Sequence, residues 1–140
     1  MTRTGRCYCG IVQYELEGEL GALVNCNCQY CRRAHGAAFA TVSLVQSAHF
    51  RFTSGEEAVR QYRNPEGFRY FCGQCGGWLF NRPMSTAKFF SLVVASLDEE
   101  PDQGPVMHIN VESKASWYDI LDDLPQHEAL PPGVRSALDD

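Results

Sequence analysis

Short apolar runs punctuated by glycine dominate the chain, a pattern that predicts strands joined by tight turns rather than long helices. Over residues 11–16 every second position is apolar, so Val12, Tyr14 and Leu16 share one face of a strand. Segments 38–45, 59–62, 68–71 and 88–94 read as further strands. Segment 106–111 alternates well: Met107, Ile109 and Val111 are expected toward the core, and His108 and Asn110 away from it. One short helix is expected, from about Cys28 through Tyr30, Arg32 and Ala34 to a stop at Gly36. The prediction is a mainly β single domain of short antiparallel strands over residues 1–126, with one helical turn at a cysteine triplet. In the tail, residues 127–140, Pro131-Pro132-Gly133 and the acidic Asp139-Asp140 signal a packed-over or mobile end.

Composition narrows the classes. A chain of 140 residues, 44% hydrophobic, can bury its own core, so any metal adds to that core and does not replace it. The net charge of −5 and the scattered basic residues, with Arg32-Arg33 the one adjacent pair, argue against a nucleic-acid partner, which needs clustered cations. Met1 to Gly5 lead into a cysteine motif without an apolar leader, and the apolar stretch 89–95, broken by Ser91, is far shorter than the roughly 20 residues that span a bilayer. The expectation is a soluble, cytoplasmic protein with no membrane partner. There, seven cysteines need a reason other than disulfides, which reducing compartments disfavour and an odd count cannot complete.

Every cysteine falls in one of three clusters: Cys7-Tyr8-Cys9-Gly10, Cys26-Asn27-Cys28-Gln29-Tyr30-Cys31 and Cys72-Gly73-Gln74-Cys75-Gly76. In an extended segment Cys7 and Cys9 point the same way, and Cys72 and Cys75 have the spacing of a zinc knuckle, with glycines that let backbone N–H groups approach sulfur. Together these four make a closed structural site. Cys26, Cys28 and Cys31 remain, the number of protein ligands a catalytic zinc keeps when one position is left for substrate. Two alternatives stay open: His35 can close that site as a fourth ligand, or the triplet is a metal-free redox trio whose thiols are acidified by Arg32, Arg33 and a helix N-terminus.

Gly5-Arg6-Cys7-Tyr8-Cys9-Gly10, Cys26-Asn27-Cys28-Gln29-Tyr30-Cys31-Arg32, Phe71-Cys72-Gly73-Gln74-Cys75-Gly76 and His108-Ile109 followed by Ser113-Lys114-Ala115-Ser116-Trp117 resemble the glutathione-dependent formaldehyde-activating enzyme family, which includes centromere protein V-like members. The resemblance implies an all-β "β-tent" fold, a structural zinc on Cys7, Cys9, Cys72 and Cys75, and a second zinc on Cys26, Cys28 and Cys31. It also implies a reaction, the condensation of formaldehyde with glutathione to S-(hydroxymethyl)glutathione and the reverse carbon–sulfur cleavage. The expected protein is then a zinc-dependent carbon–sulfur lyase, with glutathione as co-substrate and a small thiol and an aldehyde as partners. The same chemistry on another thiol or aldehyde is one alternative, and a non-enzymatic zinc module that binds a protein is another.

Three thiolates on Zn2+ leave a formal charge of −1, which suits holding a substrate thiolate better than polarising a carbonyl. Arg32 and Arg33 are the nearest candidates for the carboxylates of glutathione, with Arg69 a weaker one. His108, Lys114 and Trp117 can be read as pocket groups but read first as structural. Phe39, Phe71 and Trp78 read as core residues beside the knuckles.

Overall fold

A computed structural model describes residues 1–131; the tail signals Pro132, Gly133, Asp139 and Asp140 lie outside the described residues. The chain runs β1 (Thr2–Arg6), β2 (Gln13–Glu17), β3 (Leu23–Cys26), α1 (Gln29–His35), β4 (Ala40–Gln46), β5 (Phe50–Ser54), β6 (Val59–Asn64), β7 (Gly67–Cys72), β8 (Trp78–Pro83), β9 (Phe89–Val93) and β10 (Pro105–Ile109). A three-stranded sheet has the order β1-β2-β5, and a seven-stranded sheet has the order β10-β3-β4-β9-β8-β7-β6. The fold is mainly β, as the apolar pattern predicts.

Alternation decides what is inside. Val12, Tyr14 and Leu16 are buried, while Glu17 is exposed. They share a core with Val45, Leu79, Phe80, Phe90 and Leu92 of the larger sheet. Phe50 joins the sheets: its ring lies 4.9 Å from Tyr14 and meets Phe80 and Phe90 edge-on at 5.3 and 5.1 Å. Such aromatic contacts add to area burial and fix the sheets' mutual position.

Two expectations need correction. All strands pair antiparallel except β10, which lies parallel to β3 with Ile109 beside Cys26. Residues 94–104 carry the chain from β9 to the free edge of β3, so that β10 runs in the direction of β3, the geometry a crossover connection allows and a hairpin does not. His108, expected away from the core, is only 2% exposed. The reason is a cover outside the sheet: residues 122–127 fold over β10, with His108 N–H donating to Pro125 O, His127 N–H to His108 O, and the His108 ring 3.0 Å from the Asp122 carboxylate.

The helix ends as predicted. Cys28 is extended and caps α1 by accepting the Cys31 N–H at 3.3 Å, and Gly36 closes it in the left-handed conformation (φ 60°). The cap thereby spaces Cys28 and Cys31 for a common ligand.

Candidate metal centres and the cavity beside one of them

The first cysteine pair follows β1, and the second spans the turn from β7 to β8. Their four sulfurs lie within 4.8 Å of one another, with Cys7 to Cys9 at 3.7 Å and Cys9 to Cys72 at 3.9 Å. Backbone N–H groups point at them: Val12 to Cys7, Gln74 to Cys72, and both Cys9 and Gly77 to Cys75, all at 3.3–3.4 Å. Burial acts to raise the Cys75 thiol, but the N–H groups of Gly77 and Cys9 outweigh it and bring the pKa down to about 6. At Cys9 the Ile11 N–H acts to lower the pKa, but burial and the neighbouring sulfurs prevail and push it up to about 11. Four thiols this close do not ionise together unless a cation balances them, and none of the seven cysteines is in a disulfide. The cluster can hold a metal ion.

The triplet is built differently. Cys26 ends β3, Cys28 caps α1 and Cys31 lies in its first turn; all are buried, and their sulfurs lie within 4.8 Å of one another. Each sulfur has its own polar neighbour. Asn110 Nδ2 donates to Cys26 at 3.3 Å, Arg69 Nη2 donates to Cys31 at 3.4 Å, and Cys28 Sγ lies 3.8 Å from Glu66 Oε2. Hydrogen bonds from Cys28 and Cys31, helped by the Cys28 N–H and Asn110, lower the Cys26 pKa to about 3, while those same contacts raise Cys28 and Cys31. One thiolate forms readily, and a cation is needed for the other two. This cluster also can hold a metal ion. His35 does not join it, so the group is three sulfurs among the described residues.

Space borders both clusters, Cys7 lining a shallow hollow of about 550 Å³, but the space at the triplet is the more enclosed. A cavity of about 380 Å³ has Cys26 and Cys31 in its wall. Val42, Phe80, Ile109 and Leu130 make it apolar on one side, and Glu66, Arg69, Asn81, Asn110 and His35 bring polar groups to it. A few convergent polar groups in an apolar cleft of this size are the usual form of a small-molecule site. Leu130 also packs against the triplet, so the first residues of the tail belong to the site.

Arg32 and Arg33 do not reach this cavity. Arg32 donates to Asn27 O at 3.3 Å and Ser113 O at 2.8 Å, tying α1 to the segment after β10, and Arg33 is exposed. Arg69, the cation ranked lowest from sequence, is the one that lines the wall. It is 7% exposed on β7, with its guanidinium 6.0 Å from the centre of the Trp78 ring. Trp78 itself lines the cavity, whereas Phe39 packs edge-on against His108 and Tyr118. Trp117 is 71% exposed, and Lys114 donates to the carbonyls of Ala115 and Tyr118; neither borders the cavity. Glu66, Asn81 and Asn110 were not legible as site residues. The one local signal was Asn110, directly after a strand where a polar residue adopts the left-handed conformation.

Among solved structures, a crystal structure of a Rhodobacter sphaeroides protein superposes with a TM-score of 0.60 at 24% identity, covering 71% of this chain and 91% of that one, a likeness of fold. The comparison with curated proteins gives no match. A family model, "Glutathione-dependent formaldehyde-activating enzyme", matches residues 2–113, taking in all three cysteine clusters, β1 to β10 and Asn110. Over that span the chain belongs to the glutathione-dependent formaldehyde-activating enzyme family.

Proposed function

We propose that this chain joins formaldehyde to glutathione, forming S-(hydroxymethyl)glutathione, and cleaves the same carbon–sulfur bond in reverse. The observation that carries this reading is a three-sulfur cluster in the wall of a cavity, beside a four-sulfur cluster. Zinc suits both donor sets. Thiolates about 2.3 Å from a tetrahedral zinc stand about 3.8 Å apart, and the closest Cys7, Cys9 and Cys72 spacings are 3.7 and 3.9 Å. Cys7, Cys9, Cys72 and Cys75 would hold a structural ion, and Cys26, Cys28 and Cys31 a second one with a free position. Zinc on the triplet, already carrying three thiolates, would supply a site that keeps a substrate thiol deprotonated and nucleophilic at neutral pH.

The protein's own groups prepare the rest. The N–H of Cys31 and the amide of Asn110 stabilise charge on Cys28 and Cys26. The apolar wall of Val42, Phe80, Ile109 and Leu130 limits competing water around the thiolate. Seven cysteines without a disulfide among them support the reading that this activity belongs to a reducing compartment such as the cytoplasm.

The test counts zinc per chain with and without excess glutathione and, in the same samples, follows exchange between formaldehyde and its glutathione adduct by NMR. Two zinc ions per chain and exchange faster than in protein-free buffer are expected. Exchange at the buffer rate with both sites loaded would end this reading.

A further inference from the structure

The cavity holds a cation and an imidazole that delivery of a thiolate leaves without a task. Arg69 is buried, yet no carboxylate lies within ion-pair distance of it among the described residues; its polar contact is Cys31 Sγ, and its flank lies near the Trp78 ring. A guanidinium carries five N–H donors and is costly to bury unpaired. A hydrogen bond to one sulfur leaves most of those donors for whatever fills the cavity. His35, from the last turn of α1, lines the same cavity with its Nε2 buried and without a hydrogen-bond partner.

Resting on the reaction proposed above, we infer that Arg69 and His35 are the oxygen-handling side of this site: Arg69 holds the aldehyde oxygen as it becomes an alkoxide, and His35 returns the thiol proton to it. Reach decides between the anions Arg69 can meet. Its guanidinium touches Cys31, one of the sulfurs beside which the substrate sulfur sits. In the adduct the oxygen is two bonds from that sulfur, whereas both carboxylates of glutathione lie several bonds further along the peptide. A donor fixed next to the sulfur cluster therefore meets the oxygen first, and a preorganised cation in an enclosed apolar site is most effective where negative charge develops during reaction.

The proton account closes without another reactant. The thiol S–H gives its proton to the His35 imidazole. The sulfur lone pair forms the S–C bond, and the carbonyl π pair moves onto oxygen beside Arg69. His35 then donates the proton to that oxygen, leaving the hydroxyl. Burial, then the charge of Arg69, lowers the His35 pKa to about 4, so the imidazole starts neutral and, once protonated, gives the proton up readily to the alkoxide.

Arg69→Gln and His35→Gln in the zinc-loaded full chain test this. For R69Q, kcat for adduct formation should fall about 100-fold or more, with the KM for glutathione within about threefold of wild type and two zinc ions retained. For H35Q, kcat should fall about 10- to 100-fold, again with both zinc ions. A second readout does not depend on turnover: the Arg69 guanidinium NMR signals should shift on adding S-(hydroxymethyl)glutathione but not S-methylglutathione, which keeps both carboxylates and lacks the oxygen. A raised KM with unchanged kcat, or equal shifts with both ligands, would reassign Arg69 to a carboxylate and overturn the inference. Loss of a zinc ion in H35Q would make His35 a ligand and overturn its role. Wild-type exchange at the buffer rate would instead sink the reaction itself, whereas mutant rates equal to an accelerated wild type would sink only this inference.

Discussion

Replacing Asn110 by glycine isolates one hydrogen bond to the triplet. Asn110 is the one non-glycine residue with positive φ among the described residues (φ 57°, ψ 37°), and its Nδ2 donates to Cys26 Sγ at 3.3 Å. Glycine adopts that backbone without steric cost, so Asn110→Gly removes the donor and leaves the turn. A hydrogen bond to a charged group contributes about 1.5–3 kcal/mol. Asn110 is half-buried, which favours the lower end, and about 1.4 kcal/mol is tenfold in a binding constant. The triplet should therefore bind zinc about tenfold more weakly in N110G, in line with the effect of losing a partner that orients a metal ligand. The four-cysteine site should keep its affinity. Asn110→Ala should show the same loss of affinity, and its global stability should lie about 1–2 kcal/mol below that of N110G, which alone has no Cβ in the left-handed region. Competition against a chromophoric chelator resolves the two zinc equivalents, and urea unfolding of the loaded protein reads stability. If N110G held both equivalents within twofold of wild type, the Asn110–Cys26 contact would not stabilise the thiolate, and the reasoning would fail.

Gly5→Ala should destabilise by about 1–3 kcal/mol, because a Cβ there falls 2.2 Å from Cζ and Oη of Tyr14, a buried ring bonded to Ser96 at 2.6 Å. A shift in the urea midpoint worth under about 0.5 kcal/mol would show that the ring moves aside. Cys72→Ala should lose the structural zinc and lower Tm more than Cys31→Ala, which should lose the other zinc and all adduct exchange; the reverse ranking by calorimetry would undo the division into structural and open sites. Asp98 accepts from Thr4 Oγ1 and Arg6 Nε, both at 2.7 Å, and the Arg6 hydrogen bond chiefly lowers its pKa. A depressed carboxylate stabilises above its unfolded value of about 3.9, and that contribution is lost as pH falls through the lower folded value. Asp98→Asn should thus cost under about 1 kcal/mol near pH 7, and the difference from wild type should shrink as pH falls below the unfolded value and through the lower folded one; a difference that did not shrink with falling pH would point to packing instead of charge.

What the sequence made legible follows from how local each signal is. Alternation over residues 11–16 and the Cys28 and Gly36 ends of α1 are decided within a few residues, and they hold. The cysteine spacings were equally local, since Cys28 and Cys31 are set by one helical cap. β1, β3, β5 and β8 carry no clear local signal: Thr2–Arg6 is polar throughout, Leu23–Cys26 is short, and their extended form depends on partners elsewhere in the chain. Arg32 was favoured over Arg69 on nearness in sequence to the triplet. Sheet pairing carries Arg69 there from β7, while local hydrogen bonds to Asn27 and Ser113 hold Arg32 elsewhere. His108 failed for a related reason, because alternation reports the two faces of a strand but not a later segment that covers one of them.

The parallel pairing of β10 explains where the cavity beside the triplet lies. Because β3 and β10 run the same way, both end at the same edge, with Cys26 beside Ile109 in register. From there β3 continues through Asn27, whose N–H and side-chain amide both donate to Ile109 O, into the cap of α1. β10 instead turns at Asn110. Two chain ends that diverge from one edge leave a crevice between them, as at the carboxyl ends of parallel strands generally. An antiparallel β10 would bring Pro105 beside Cys26, and proline has neither a backbone N–H nor a side-chain donor to offer the sulfur. The four-cysteine cluster has no such divergence. Its two loops, one after β1 and the other the turn from β7 to β8, face each other and satisfy their sulfurs with their own backbone N–H groups. The enclosed cavity beside Cys26 and Cys31 is thus a consequence of strand direction as much as of the number of cysteines.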